Sequence, residues 1–141
     1  MYNSFKSSSN RSTKIWLRSV EQVKQLETEQ QFVELKKGNT VFEFTADWCP
    51  DCKVIEPDLP KLENKYKDFN FVSVDRDKFI DICIDNDILG IPSFLVYKNG
   101  KLEGSYIGKE RKSIDQIDAF LAKYIEVSIY LENIVIYTPY F

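Results

Sequence analysis

The sequence predicts an α/β fold: a central, mostly parallel sheet with an antiparallel C-terminal hairpin, and helices on both faces. Three observations predict it. Apolar, strand-forming segments alternate with segments of helical periodicity between about residue 22 and residue 124. Their order, β-α-β-α-β-α-β-β-α, is typical of parallel strands joined by crossover helices. Asn99-Gly100 lies between the last two predicted strands and is a strong hairpin signal, so that pair is expected to be antiparallel.

The N-terminal part of the domain, residues 13–37, has two interpretations. One is a single long helix capped by Ser19. The other is a short strand near residues 23–26, followed by a helix over residues 29–37. Thr28 with Gln31 three residues later matches a capping box, which favours the second interpretation. Gly38-Asn39 then ends the helix.

The next elements follow from local composition. Thr40 to Ala46 is a buried strand, because most of its residues are good strand formers. A helical stretch runs from about residue 51 to residue 66, and Pro57 and Pro60 within it should kink or break it. Residues 69–74 form a second apolar strand.

The C-terminal half supplies a short helix over residues 79–86, strands over 93–97 and 102–107, and a last helix over 113–124. Ser113 is its expected N-cap, and apolar residues recur along it at helical spacing. The helices around 29–37 and 79–86 should cover one face of the sheet. Those around 51–66 and 113–124 should cover the other.

The 141 residues suit one domain with a single core. We predict a disordered N-terminus over residues 1–12, a domain over 13–124 and an apolar, β-prone extension over 125–141, in which Glu132-Asn133 could turn a small hairpin. The extension is either extra structure packed on the domain, a poorly ordered tail, or an edge strand that joins two subunits into a dimer.

Composition excludes several function classes. The net charge of −3 lacks the strong basic character that is typical of a nucleic-acid binder. The sequence has no run of about 20 apolar residues, so we predict no membrane span. The absence of histidine excludes His-assisted hydrolases and His-ligated metals. Three cysteines fall short of the four ligands of a structural zinc site. We therefore predict neither a metal nor another cofactor.

The cysteine content also bears on location. Three cysteines in 141 residues are too few for a secreted disulfide scaffold, which favours a reducing compartment, and the cytoplasm is the predicted one. Residues 1–18 are serine-rich, carry four basic residues and precede the first acid, Glu21. They are either a disordered polar segment or a transit peptide that directs the chain to an organelle.

Cys49 and Cys52 carry the chemistry. They form a C-x-x-C pair directly after a predicted strand and at the start of a helix. Free amides and the helix dipole at that position lower the pKa of the first thiol. The second thiol lies one turn on, within disulfide reach. The pair therefore predicts thiol–disulfide exchange, in which Cys49 attacks and Cys52 releases the mixed disulfide. Cys83 lies outside the motif and is read as a small buried hydrophobe, with a regulatory or dimer-forming thiol as the alternative.

Glu43 interrupts the apolar strand over residues 40–46. A carboxylate is costly to bury in its charged form, so burial should raise its pKa towards neutrality. It could then accept a proton from Cys52. The alternative is a strand glutamate that points to solvent.

Several segments, in the right order over roughly 100 residues, resemble the thioredoxin family. Phe44 to Lys53 resembles its active-site segment, and Pro57 its helix-kinking proline. Gly90-Ile91-Pro92-Ser93 is similar to its cis-proline loop, although from the residues alone Pro92 could equally be a trans turn proline. The third core strand and hairpin of the family, and its glycine before the last helix, are matched by residues 94–100 and by Gly108.

The resemblance implies a thioredoxin fold and a set of roles. Cys49 would be the nucleophile and Cys52 the buried resolving thiol, joined as a redox-active disulfide, with Glu43 at the position of the family's buried acid. Trp48 would cover the site. The Ile91 backbone would pair with an extended substrate segment beside cis-Pro92. Substrates would be protein disulfides, and a thioredoxin reductase would keep the protein reduced.

The chain departs from the common family pattern at two places. Pro50-Asp51 replaces the usual Gly-Pro between the cysteines. The charge of Asp51 should oppose formation of the Cys49 thiolate, unless it points to water. A lysine that often accompanies the buried acid is missing, and its aligned position is expected to be Phe71.

Two other functions stay open at this point. The first is a specialised thiol oxidant on the same fold. The second is a binding or adaptor module in which the cysteine pair has no redox role.

Overall fold

The computed structural model describes residues 23–126, 129–131 and 134–136. The predicted disordered N-terminus over residues 1–12, the transit-peptide interpretation of residues 1–18 and the Ser19 cap lie outside this range. Within it, no helix is both long and apolar enough to cross a membrane.

Five strands form the central sheet, in the order β1-β3-β2-β4-β5. They are β1 (Lys24–Gln25), β2 (Thr40–Thr45), β3 (Asn70–Asp75), β4 (Ser93–Lys98) and β5 (Lys101–Tyr106). The first three are parallel, whereas β4 runs antiparallel to β2 and β5 antiparallel to β4. The predicted fold class is therefore confirmed. So is the strand-then-helix interpretation of the first element, and the long helix over residues 13–37 is wrong.

Helices cover both faces of this sheet. They are α1 (Glu29–Lys36), α2 (Pro50–Ile55), α3 (Leu59–Lys65), α4 (Ile80–Asp85) and α5 (Ile114–Ala122), with a 3₁₀ turn over Glu56–Asp58. Prolines explain the division of the predicted helix over residues 51–66. Pro57 and Pro60 have no amide hydrogen to donate, so the ladder is interrupted and a 3₁₀ turn separates α2 from α3.

The core has two layers, one on each face of the sheet. Phe32 of α1 and Ile82 of α4 pack with Phe42 and Phe44 in one layer. The layer on the opposite face contains residues of α2, α3 and α5: Ile55, Leu59, Leu62, Ile117 and Leu121. This division matches the predicted placement of the helices. Because side chains alternate along a strand, Glu43 points to the second face.

The register of β2 and β4 positions the functional residues. Phe44 of β2 pairs with Ser93 of β4 in antiparallel fashion. The segment that follows β2 and the segment that precedes β4 therefore meet at the same edge of the sheet. They contain the cysteine pair and the Ile91–Pro92 bond.

Beyond the domain, β6 (Ile129–Leu131) and β7 (Ile134–Ile136) form a separate antiparallel pair. This pairing agrees with the small hairpin predicted in the extension. A dimer through this segment stays a prediction.

Candidate functional site

Cys49 and Cys52 lie at the N-terminus of α2 and are joined as a disulfide, with 5.3 Å between their Cα atoms. Cys49 is the N-cap of the helix, and its sulfur accepts a hydrogen bond from the Cys52 amide at 3.2 Å. Pro50 occupies the first helical turn, where the absence of an amide hydrogen has no cost. The sequence thus folds locally so that the Cys49 sulfur faces a backbone donor that would stabilise a thiolate.

A groove of about 310 Å³ opens at this end of the molecule, and Cys49 lines it together with Trp48 and Ile91. Both cysteines are buried, with Cys49 4% and Cys52 2% exposed, but Cys49 lines the groove and Cys52 does not. Leu89, which is 87% exposed, also lines the groove. The two cysteines are therefore unequal, since Cys49 adjoins a surface that an extended polypeptide could contact.

Trp48 is held over the site by two neighbours. Its indole Nε1 donates to Asp77 Oδ2 at 2.7 Å. The Arg76 guanidinium lies 5.7 Å from the centroid of the Trp48 ring. Neither partner was predicted, because both follow β3, far from Trp48 in sequence.

The Ile91–Pro92 peptide bond is cis, as the family resemblance implied. Ser93 fixes the loop that contains it. The Ser93 hydroxyl donates to the Gly90 carbonyl and accepts from the Gly108 amide at 3.2 Å. A Cβ at Gly90 would lie 2.5 Å from the backbone nitrogen of Lys109, so glycine is needed for the two loops to approach this closely.

Glu43 is buried, with 6% of its surface exposed. Burial first, and then the charge of Glu56, raise its pKa from 4.5 to about 8, against the opposing effect of a hydrogen bond with the Ser73 side chain. The burial of Glu43 agrees with the expected buried carboxyl of raised pKa. It disagrees with the alternative of a strand glutamate that points to solvent. Glu43 lines a second groove, of about 320 Å³, together with Glu56 and Ser73.

The position expected to hold the family's lysine needs correction. Glu43 pairs with Ser73 across the parallel ladder, and Phe71 pairs with Val41. The residue beside the buried acid is therefore Ser73. The prediction failed because strand register depends on tertiary pairing, and sequence alignment alone did not fix it.

Asp51 carries a partner that sequence reasoning missed. Its Oδ1 accepts a hydrogen bond from Arg111 Nε at 3.0 Å, and the Asp51 side chain is 29% exposed. The alternative of a carboxylate that simply points to water is therefore wrong. No local signal identifies Arg111, because 60 residues separate it from Asp51.

Cys83 lies on α4 and is 1% exposed within the core. Burial raises the pKa of its thiol, which agrees with the interpretation as a small hydrophobe. Among the residues that the structure describes, no group of three or more Cys, Asp or Glu side chains could hold a metal ion.

Comparison with known proteins gives a consistent result. The family model Thioredoxin matches residues 20–123. Among curated proteins, mitochondrial Thioredoxin-2 of Schizosaccharomyces pombe is 34% identical over 87 residues, which cover 62% of this chain and 63% of that protein. The chain thus spans somewhat less than two thirds of the length of that relative.

Solved structures show the same likeness. The crystal structure of thioredoxin from Trypanosoma brucei brucei has a TM-score of 0.64 and 28% identity, covering 72% of this chain and 88% of that one. A second solved structure concerns the thiol resolving mechanism in yeast mitochondrial 1-Cys peroxiredoxin via glutathione/thioredoxin systems. It has a TM-score of 0.61 and is 31% identical in sequence, and the match covers 73% of this chain and 92% of that one.

Proposed function

Because the chain belongs to the thioredoxin family, we propose that it is a thiol–disulfide oxidoreductase that reduces disulfides in other proteins through Cys49 and Cys52. The observation that carries the proposal is the unequal placement of the two sulfurs. Cys49 adjoins the groove beside the cis Ile91–Pro92 bond, and Cys52 lies inward one turn along α2.

The reaction begins from the reduced dithiol. The Cys49 thiolate attacks one sulfur of a substrate disulfide, forms a mixed disulfide and expels the other substrate sulfur as a thiolate. Cys52 then loses its proton and attacks the Cys49 sulfur. This step expels the second substrate sulfur and leaves the Cys49–Cys52 disulfide. Two electrons pass to the substrate, and a dithiol reductant of the thioredoxin reductase class returns the protein to its starting state.

Glu43 is the proposed base for the second step. The pKa of the Glu43 carboxyl is about 8, so this group can gain and lose a proton near neutral pH. It can therefore accept the Cys52 proton and release it again. Glu43→Gln should slow turnover and leave substrate docking intact. A turnover rate that does not change between pH 6 and 8 in the unmodified protein would contradict this role.

The groove is the proposed substrate site. An extended segment would pair with the backbone of Ile91 beside Pro92 and contact Trp48, which is 59% exposed. Pro50, Asp51 and Pro57 tune the geometry and charge of the helix that holds the cysteines. Since one similar structure concerns the thiol of a peroxiredoxin, an oxidised peroxiredoxin is a sensible protein substrate to test beside insulin.

Insulin-disulfide reduction with a dithiol as electron donor tests the proposal. The unmodified protein should accelerate it, Cys49→Ser should abolish the acceleration, and Cys83→Ala should retain it. Unchanged insulin reduction in the Cys49→Ser variant would contradict the proposal. Absence of acceleration by the unmodified protein would favour the adaptor alternative.

The reduction potential separates a reductase from a specialised oxidant. We expect a reduction potential of about −270 mV for the Cys49–Cys52 pair, whereas the potential of an oxidant would be about −120 mV.

The cellular setting is part of the same proposal. A reducing compartment keeps the dithiol available, and we place the protein in the cytoplasm. An organelle is the alternative, because residues 1–18 are basic and serine-rich and two similar proteins are mitochondrial. Imaging of the tagged chain with and without residues 1–18 distinguishes the two. Dimerisation through residues 125–141 is tested by the mass of the protein in solution.

A further inference from the structure

We propose that Arg111 is a positioning residue for the redox site: it fixes the Asp51 carboxylate against the loop over residues 107–112 and so limits how strongly Asp51 opposes ionisation of Cys49. The proposal rests on the proposed function, in which Cys49 is the attacking thiol. It explains how the chain combines an acidic residue between its cysteines with a thiolate nucleophile.

The ion pair joins two segments that are distant in sequence. Asp51 lies in the first turn of α2, between the cysteines, and lines the groove with Cys49. Arg111 Nε donates to Asp51 Oδ1 at 3.0 Å. The Arg111 side chain is 73% exposed, so Arg111 contributes little to the core and can be replaced without opening a cavity.

The loop that presents Arg111 is held by hydrogen bonds within it and by one to β4. Lys112 is 1% exposed, and its ammonium donates to the carbonyls of Gly108 and Glu110 at 2.9 and 3.2 Å. The same ammonium lies 4.9 Å from the centroid of the Tyr106 ring. Ser93 holds Gly108 from the cis-proline side. Arg111 therefore extends from a loop that is tied together by Lys112 and joined to β4 through Ser93.

Other charges around the site limit what Arg111 alone can do. Arg76 and Lys109 line the groove with Cys49 and Asp51. The charge of Asp51 also acts on Lys112, where it opposes the lowering of the ammonium pKa by burial. Three cations of the loop, Lys109, Arg111 and Lys112, thus lie near Asp51, and Arg111 is the one bonded to its carboxylate.

Removal of Arg111 should have two effects on Cys49. One is the loss of a nearby positive charge, which does not depend on Asp51. The other is release of the Asp51 carboxylate, which can then move towards the sulfur. Because the ion pair is exposed, we expect its removal to raise the measured pKa of Cys49 by roughly 0.3 to 0.7.

The test is a double-mutant cycle on the rate of alkylation of Cys49 against pH, measured on the reduced protein by mass spectrometry. The variants are Arg111→Gln, Asp51→Asn and the double variant, with Lys37→Gln as a matched control. Lys37 belongs to an exposed ion pair with Glu34, beside the start of β2 and so at the opposite end of that strand from Cys49. Thermal unfolding of each variant verifies that it is folded.

We expect Arg111→Gln to raise the pKa of Cys49 in the unmodified background and to raise it by less than half as much in the Asp51→Asn background. Lys37→Gln should leave it unchanged. An equal rise in both backgrounds, or no rise in either, would overturn the proposal. Alkylation needs no protein substrate, so this outcome is independent of whether insulin is reduced.

Discussion

Replacement of Glu43 by glutamine should remove a large contribution to the pH dependence of stability of the oxidised protein between pH 6 and 9. Glu43 is 6% exposed and has a pKa of about 8, raised first by burial and then by the charge of Glu56. The folded protein therefore holds a proton that the unfolded chain has already released. Folding is stabilised by this group below pH 4.5, and the stabilisation is lost as the pH rises towards and through about 8.

The magnitude follows from the two pKa values. With about 8 in the folded protein and 4.5 in the unfolded chain, the loss between pH 6 and 9 is roughly 2–3 kcal/mol of unfolding free energy. Glutamine has a similar shape and no proton to release. In Glu43→Gln this contribution disappears, and titrations elsewhere in the chain remain.

Urea unfolding at pH 6, 7, 8 and 9 measures this effect, with the disulfide kept intact and the two proteins compared at each pH. Between pH 6 and 9 the unmodified protein should lose roughly 2–3 kcal/mol of unfolding free energy relative to Glu43→Gln. The slope of the unfolding free energy against urea concentration should be the same for both proteins. Parallel curves, with a constant difference at all four pH values, would refute the assignment of the raised pKa to Glu43.

Three further predictions concern the same fold. Glu56→Gln removes the like charge near Glu43 and lowers the folded-state pKa of Glu43, so the loss of stability in urea unfolding should be smaller and should level off at lower pH; an unchanged profile would mean that the two carboxyls do not interact. Gly90→Ala places a Cβ 2.5 Å from the Lys109 nitrogen and should cost about 1–3 kcal/mol in thermal unfolding, whereas an unchanged midpoint would contradict the close approach of the loops. Phe42→Ala empties a fully buried site and should cost about 3–5 kcal/mol by urea unfolding; a cost below 1 kcal/mol would show that the core is misassigned.

The sequence predicted most of the framework because its signals there are local. Thr28 and Ser113 both cap helices as expected, each accepting a hydrogen bond from the amide three residues on. The β2 strand was evident from its composition, and a buried Glu43 was one of two interpretations of a carboxylate within that apolar strand. Proline chemistry anticipated the break after α2.

The predictions failed or were silent where a contact joins distant segments. Ser73 beside Glu43 depends on the register of two parallel strands. Arg111 and Asp77 reach the site from loops 60 and 29 residues away, and a charged loop residue carries no local sign of its partner. The cis state of Pro92 could be assigned only through the family resemblance, since the residues alone allow either isomer.

In the proposed reaction Cys49 attacks the substrate and Cys52 resolves the mixed disulfide. The most direct measurement is the mass of the adducts formed when the reduced Cys52→Ser variant and the reduced Cys49→Ser variant are each mixed with oxidised insulin. We predict that Cys52→Ser accumulates a mixed disulfide through Cys49, because no second thiol is placed to release it. Adduct formation by Cys49→Ser through Cys52 at an equal rate would contradict the assignment of Cys49 as the attacking thiol.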